Sequence, residues 1–159
     1  MPRRSRAARS AQRLGRQQPR YRFFLNPYPD ARFTSCPQCG GKTRVRKLPL
    51  VIHVDHGAMI ALNKTCKFCP YCDLLIAHQD EIEAQLAAYF GQHAPDVVGN
   101  DYLVIGTEDR EVWRRGMRTP LSPREALEHL HDFRDYVTFT PPPGWVRVPP
   151  PDSTEHAGE

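Results

Sequence analysis

The sequence contains no apolar run approaching the roughly 20 residues that are needed to cross a bilayer. It also lacks a phosphate-binding glycine loop, a strand-turn-helix nucleophile elbow and a His-Glu-x-x-His pair. These absences argue against a membrane partner and against the common hydrolases and nucleotide enzymes. We therefore expect a soluble, intracellular and cytoplasmic protein that is not an enzyme.

Acidic residues and lysine are absent from the first 29 residues, which hold eight arginines. Residues 30–159 carry 14 basic and 18 acidic side chains, so a basic arm precedes a body of net charge −4. Arginine pairs with phosphate through two hydrogen bonds and displaces counterions from nucleic acid. The pattern predicts a polyanionic partner for the arm, whereas a solvated tail and an organelle transit peptide are the alternatives. The arginines are Arg3, Arg4, Arg6, Arg9, Arg13, Arg16, Arg20 and Arg22.

All five cysteines lie in two stretches, Cys36-Pro-Gln-Cys39 and Cys66-Lys-Phe-Cys69-Pro-Tyr-Cys72. Two cysteines separated by two residues can turn both sulfurs toward one point, and two such turns supply a closed tetrahedral zinc site. The repeated Cys-Pro-x-Cys pattern favours Cys36, Cys39, Cys69 and Cys72 as ligands. Cys66 is then the one cysteine outside the ligand set. Its other interpretations are an alternative ligand and a redox-active thiol. The expected cofactor is zinc rather than iron, and the odd cysteine count argues against a disulfide framework.

The paired knuckles Cys36-Pro-x-Cys39-Gly and Cys69-Pro-x-Cys72-Asp resemble those of zinc-ribbon proteins, a family that also resembles rubredoxin. The resemblance covers residues 33–91, and Asp73 departs from the glycine that usually closes such a knuckle. It implies a small antiparallel sheet with a knuckle at each of two turns. It implies no single activity, because zinc ribbons occur in transcription factors, ribosomal proteins and enzymes.

The predicted fold class is α+β: a zinc-ribbon antiparallel sheet with a following helix, then a ββα(β) segment, flanked by extended or disordered termini. The predicted divisions are an Arg-rich disordered arm over residues 1–30 and a zinc ribbon plus helix over 31–92. A ββα(β) segment over 93–140 and a Pro-rich tail over 141–159 follow. A single helix and a hairpin form a poor independent core, so we expect the 93–140 segment to pack on the ribbon.

Within the ribbon, the pattern predicts a strand over residues 42–48 with basic residues on its open face, and a more buried strand over 49–55. A returning strand over 58–62 and a short buried strand over 74–77 follow. A capping box at Asp80 then predicts a helix with the apolar stripe Ile82, Leu86, Tyr89 and Phe90, ending at Gly91.

In the second half, residues 102–106 and 111–115 read as the two strands of a hairpin. Ser122-Pro-Arg-Glu125 has the form of a capping box with proline at the first helical position, and it predicts a second helix. Residues 137–140 are predicted to close the segment as a strand.

The candidate nucleic-acid interface extends from the arm to the basic ribbon strand, through Arg44, Arg46 and Lys47. A solvated strand face is the alternative for these three residues. A second metal or acid-base cluster is conceivable from His53 and His56 with Cys66 and His78. The alternation of His53 with apolar neighbours in a strand favours a structural explanation instead.

Together these features predict a small zinc-stabilised nucleic-acid-binding module, associated with RNA or a ribonucleoprotein. The alternative is a zinc-ribbon adaptor in which the acidic body and the Pro-rich tail contact a protein partner, with no nucleic-acid role. An enzyme with its site between the two halves is a third, less favoured interpretation.

Overall fold

Residues 13–56 and 59–141 are described by a computed structural model of the chain. The strands are β1 (Arg22–Asn26), β2 (Arg44–Val54), β3 (Met59–Cys69), β4 (Leu74–His78), β5 (Tyr102–Thr107), β6 (His131–Asp132) and β7 (Asp135–Tyr136). The helices are α1 (Gln79–His93), α2 (Arg110–Arg118) and α3 (Pro123–His129), and a short 3₁₀ helix covers Pro95–Val97.

All seven strands form one sheet in the order β6-β5-β2-β3-β4-β1-β7. The long β2–β3 hairpin is its centre, with antiparallel pairs from Arg44 and Phe68 to His53 and Met59. Strand β1 lies between β4 and β7 and runs parallel to both. The fold therefore combines helices with a mixed sheet, whereas the sequence predicted an antiparallel one.

The sheet curls until its two ends meet. The Tyr136 hydroxyl, in β7, donates a hydrogen bond of 2.6 Å to the carbonyl of Val104 in β5. The backbone N–H of Phe133 donates to the carbonyl of Ile105 at 3.2 Å. The bond from Tyr136 joins strands that stand near opposite ends of the strand order, whereas the bond from Phe133 extends the pairing of β6 with β5. The natural right-handed twist of the sheet brings its two ends together.

Strands β1 and β4 have side chains buried on both faces, which explains the apolar runs 23–25 and 74–77 within them. Phe23 faces the main core, where its ring stacks on Phe133 at 4.3 Å. Phe24, the next residue, faces the opposite side and meets Phe33 edge-on at 5.4 Å. This second side, the cysteine core, consists of Phe24, Ala31, Phe33, Cys36, Cys69, Leu74 and Ile76.

Helix α1 covers the main core with Ile82, Leu86 and Phe90, three of the four residues of the predicted stripe. The fourth residue, Tyr89, is 43% exposed. Residues at these spacings share one face of a helix, and burial of that face fixes α1 on the sheet.

Both predicted ends of α1 are wrong. The helix starts directly from β4 at Gln79, so Asp80 lies inside the first turn and makes no cap. An acidic residue in that position still interacts favourably with the helix dipole. At the other end the helix continues past Gly91 to His93. Gly91 does not adopt the left-handed backbone conformation that would end the helix there, and the space around it is open.

The strand predicted over residues 102–106 is confirmed as β5, and it pairs with β2 in the same sheet. Its predicted hairpin partner, residues 111–115, is helical and belongs to α2. Glutamate, arginine and methionine are good helix formers, and Val112 is the one buried residue of α2. The strand predicted over 137–140 is also absent, since β7 ends at Tyr136.

The second predicted capping box is confirmed at the start of α3. The Ser122 hydroxyl accepts the N–H of Glu125 at 3.2 Å, and the Glu125 carboxylate accepts the N–H of Ser122 at 3.1 Å. These reciprocal bonds satisfy two N–H groups that the first helical turn leaves without partners.

Residues 13–30, predicted as part of a disordered arm, contact the body. The N–H groups of Leu14 and Gly15 donate to the Asp132 carboxylate at 3.0 and 2.7 Å, and the N–H of Arg16 donates to Leu127 O at 3.0 Å. Charge-assisted bonds of this kind are stronger than neutral ones. Of the predicted arm, residues 1–12 lie outside the described residues, as does the Pro-rich tail beyond residue 141.

No helix in the described part of the chain combines the length and the apolar character needed to traverse a bilayer.

Two glycine substitutions test the docking of the N-terminal segment. A Cβ on Gly15 would lie 2.2 Å from the carbonyl oxygen of Leu130, so Gly15→Ala should detach residues 13–20 and cost about 1–3 kcal/mol through the lost Asp132 bonds. Gly91→Ala meets nothing within 4 Å in a helix and should be neutral or stabilising. Limited trypsin digestion should show faster cleavage after Arg16 and Arg20 in the first variant only. Equal cleavage in both would contradict the docking.

Candidate metal centre and the basic surface beside it

The first cysteine pair lies in a tight turn that an antiparallel bridge between Ser35 and Lys42 closes. Inside the turn, the N–H of Cys36 donates to Gly41 O at 2.7 Å and the N–H of Gly40 donates to Cys36 O at 2.9 Å. Gly40 has φ of 78°, a left-handed conformation that glycine adopts without strain. Glycine at this position therefore lets the chain reverse directly after the pair.

Backbone N–H groups in this turn point at the sulfur atoms. The N–H of Gln38 donates to Cys36 Sγ at 3.4 Å, and the N–H of Gly41 donates to Cys39 Sγ at 3.3 Å. Such bonds stabilise thiolates and orient them as metal ligands.

The second cysteine pair lies in the turn between β3 and β4. Asp73 has φ of 54° and occupies the left-handed position that Gly40 holds in the first turn. Aspartate is among the few residues that enter this region. Its carboxylate pairs with Arg134 at 2.8 Å, and its carbonyl accepts the N–H of Arg22 at 2.8 Å. Contacts of the Asp73 side chain and carbonyl thus stabilise aspartate where a knuckle usually has glycine.

The four cysteines of the two turns form one cluster. The sulfur atoms of Cys36, Cys39, Cys69 and Cys72 all lie within 4.8 Å of one another. Cys36 Sγ is 3.9 Å from Cys72 Sγ, and Cys39 Sγ is 3.6 Å from Cys69 Sγ. Four thiolates at about 2.3 Å from a tetrahedral zinc ion stand about 3.8 Å apart. The separations fit a metal site and are far longer than the roughly 2.0 Å of a disulfide.

The pKa values of the clustered thiols also favour a bound cation. The Gly41 N–H lowers the pKa of the Cys39 thiol, whereas burial raises the pKa of Cys69. Burial together with the neighbouring thiols raises the pKa of Cys72 to about 12. Four thiolates at these distances repel one another, so all four ionise together only around a positive ion. Four soft sulfur donors in a closed set suit zinc best.

Cys66 lies outside this cluster. It is three residues from Cys69 on β3, so the two side chains point to opposite faces of the sheet. Cys66 faces the main core, where burial raises its pKa to about 12. A buried thiol of this kind is chemically inert. The cluster therefore contains the four cysteines that the Cys-Pro-x-Cys repeat favoured.

No protein-family model, curated protein or solved structure matches the chain. The resemblance to zinc ribbons accordingly rests on the two knuckles, and the four-cysteine cluster is compatible with it.

The three basic residues of the predicted interface on β2 are all exposed, but they do not share one face. Arg44 and Arg46 alternate onto the face that carries Phe68, and Lys47 points to the other side. The Arg46 guanidinium lies 4.1 Å from the centre of the Phe68 ring and donates to Tyr21 Oη at 3.1 Å. Arg46 thus covers one end of the main core.

The arginines of the predicted arm have different surroundings. Arg20 forms an ion pair of 3.0 Å with Asp109, and Arg22 donates a hydrogen bond to Gln38 on the first knuckle. Arg13 is exposed and Arg16 is anchored through its backbone. Arg3, Arg4, Arg6 and Arg9 lie outside the described residues.

Sequence reasoning missed an exposed aromatic ring beside the cluster. Tyr71, between Cys69 and Cys72, is 79% exposed and packs against Gly41. With Lys42, Thr43 and Arg44 it lines an open cleft of about 320 Å³, which we call the knuckle surface. Its position offered a signal, because both flanking cysteines must turn inward and leave the residue between them facing solvent.

The histidine cluster that the sequence offered as a less favoured alternative does not form among the described residues. His53 is exposed on β2, and His56 lies in the following turn with φ of 57°. His78 is buried beside Asn26 at 3.4 Å, and burial lowers its pKa. Among residues 13–56 and 59–141, the four cysteines are the one group of three or more potential ligands close enough to share an ion.

Metal stoichiometry tests the ligand set. We expect one zinc per chain in the full-length protein, and loss of that zinc from Cys36→Ser, Cys39→Ser, Cys69→Ser and Cys72→Ser. Cys66→Ala is the matched control and should keep it, because its sulfur faces the main core. Elemental analysis of purified variants gives the result. Zinc retained in Cys69→Ser but lost from Cys66→Ala would contradict the assignment.

Metal removal tests the structural role of the cluster. The cysteine core is small, and structural zinc contributes on the order of 10 kcal/mol of folding free energy, about as much as a whole domain's stability. A strong chelator at neutral pH should therefore abolish the cooperative thermal transition seen by circular dichroism, and added zinc should restore it. A transition that the chelator leaves unchanged would show that the metal is dispensable.

Proposed function

We propose that the chain is a small zinc-stabilised module that binds single-stranded nucleic acid, namely RNA in a ribonucleoprotein. The interface consists of the knuckle surface and of residues 1–12. The observation that carries the proposal is the exposed Tyr71 ring beside the cationic side chains of Lys42 and Arg44, next to the cysteine cluster.

The chemistry of the knuckle surface suits an unpaired strand. Bases stack on exposed aromatic rings, with about 1–3 kcal/mol per base, and nearby cations follow the phosphates. None of the four residues lining the cleft is acidic. The nearest acid in sequence, Asp73, is already paired with Arg134. The surface is therefore locally positive on a body with a net negative charge.

Rigidity of the two knuckles favours this use of Tyr71. The cysteines on either side of Tyr71 belong to the cluster, and Gly41 packs against its ring. Zinc, when bound, would cross-link both turns and hold the ring in place. A fixed ring loses little conformational entropy when a base stacks on it.

Residues 1–12 supply the second part of the interface. They contain four arginines and no acid, and they precede a segment that is hydrogen-bonded to the body at Leu14 and Gly15. An extended stretch of this length reaches up to about 40 Å. Arg20 and Arg22 are engaged with Asp109 and Gln38, so residues 1–12 are the better candidates for phosphate contacts.

Salt dependence tests the contribution of residues 1–12. With a fluorescent single-stranded RNA homopolymer, deletion of residues 1–12 should weaken binding and reduce the slope of log affinity against log salt by about 3, because four phosphate contacts at about 0.7 each are lost. The deletion stops before Arg13, so the docked segment remains. An unchanged slope would move the electrostatic contacts to the body, and no binding by either protein at low salt would favour the adaptor function.

Substitution of Tyr71 tests the stacking contact. Tyr71→Ala should weaken binding by about 5- to 150-fold, corresponding to one stacked base, whereas Tyr71→Phe should retain it. Tyr89→Ala, which removes an exposed tyrosine from α1, is the matched control and should have no effect. Anisotropy titrations at constant salt give the three affinities. Equal affinities of Tyr71→Ala and Tyr89→Ala would contradict the interface.

A further inference from the structure

A second cavity lies on the far half of the molecule, between β3, α2 and α3. Its volume is about 250 Å³, and its walls are mainly apolar and aromatic. Met59 and Leu62 contribute from β3, Tyr89 from α1, and Trp113 and Met117 from α2. The cavity shares no lining residue with the knuckle surface.

One carboxylate lines this apolar cavity. Glu108, between β5 and α2, is 8% exposed. Its backbone N–H donates to Pro49 O at 3.3 Å, but its carboxylate makes no hydrogen bond or ion pair within the described part of the chain. Burial, together with the neighbouring Asp109, raises the pKa of Glu108. A carboxylate without a partner is costly in largely apolar surroundings, so the cavity favours a positively charged ligand beside it.

Two of the four arginines of α2, Arg110 and Arg115, have partners other than Glu108. Arg110 Nη2 donates to the carbonyl of Lys47 at 2.8 Å, and Arg115 Nη2 lies 3.3 Å from His129 Nε2. Among residues 13–56 and 59–141, no cation lowers the pKa of Glu108, which burial and Asp109 raise. The cavity is therefore an apolar site with one uncompensated negative charge.

We propose that this cavity binds a small organic cation, a guanidinium or ammonium group on a short aliphatic stem. The cationic group pairs with the Glu108 carboxylate, and the stem packs against Trp113 and Met117. Aromatic rings attract such cations, and the flexible methionine side chain can pack against an aliphatic stem. The volume suits a group about as large as an arginine side chain. The cavity could bind this cation whether or not the chain binds nucleic acid, because the two sites share no lining residue.

A pair of isosteric probes tests the charge requirement. n-Butylguanidinium should bind saturably and shift the indole N–H signal of Trp113 in ¹H–¹⁵N spectra, whereas the neutral n-butylurea should bind at least about tenfold more weakly. Glu108→Gln should remove that discrimination. Glu111→Gln, an exposed carboxylate on α2, is the matched control and should keep it. Equal binding of both probes by the unmodified chain would overturn the proposal.

Thermal stability separates a ligand-binding carboxylate from a structural one. Glu108→Gln removes a buried charge that has no partner, so its melting temperature should equal or exceed that of the unmodified chain. A lower melting temperature would mean that the carboxylate has an internal partner and would overturn the proposal. Met117→Lys places a competing ammonium at the rim, where residue 117 is 69% exposed, and should weaken n-butylguanidinium binding without loss of fold. Unchanged binding in this variant would also count against the site.

An arginine from residues 1–12 is a second possible source of the cation, and the deletion variant distinguishes it. Equal affinity of the full chain and of the chain lacking residues 1–12 for n-butylguanidinium would support a free small ligand. Clearly tighter binding by the deletion variant would show that the chain's own arginines occupy the cavity, and would overturn the assignment to a free ligand.

Discussion

Strand β1 is the element on which both cores depend. It is inserted parallel between β4 and β7, and its two phenylalanines face opposite sides. Phe23 stacks on Phe133 and meets Tyr136 edge-on, so it ties the curled end of the sheet to the main core. Phe24 packs against Phe33 and Phe139 in the cysteine core. Loss of this strand would open the curl and expose the apolar layer beneath the cysteines.

The cysteine cluster and β1 stabilise the same layer from two sides. Cys36 and Cys69 belong to the cysteine core, and that core also contains Phe24 and residues of β4. Seven residues bury too little surface to organise two tight turns, whereas a metal ion bound to four thiolates restrains both turns at once. The positions of Tyr71, Lys42 and Arg44 follow from these restraints, because each lies within or directly beside a knuckle.

Short-range patterns predicted the local features well. The two cysteine pairs, the buried strand β4 and the cap at Ser122 each depend on a few adjacent residues, and all are present. The strand assigned to residues 111–115 was wrong because valine and tryptophan between charged residues resemble an alternating strand. In the fold these residues are covered on one side only, and the helix-forming residues around them decide the outcome.

Long-range features could not be read from the sequence. Parallel pairing of β1 with β4 joins residues about fifty positions apart, and no local signal specifies it. The same limit applies to Asp132, whose carboxylate holds Leu14 and Gly15 from the other end of the chain. The sequence therefore predicted one disordered arm over residues 1–30, whereas Leu14 and Gly15 are bound to the body. An arginine-rich composition gives no sign that two backbone N–H groups donate to one buried acid.

The junction between β5 and α2 links the two proposed sites. Residues 108–110 contact three different parts of the molecule. Glu108 lines the second cavity, and Asp109 pairs with Arg20 of the N-terminal segment. Arg110 donates a hydrogen bond to the carbonyl of Lys47 on β2. A cation bound to Glu108 would add a positive charge one residue from the acid that anchors Arg20. Any effect on the N-terminal segment must be reciprocal, because two ligands that bias one element change each other's affinity by the same factor. We therefore expect any coupling between the arm and the cavity to pass through these three consecutive side chains, without any movement of the metal centre.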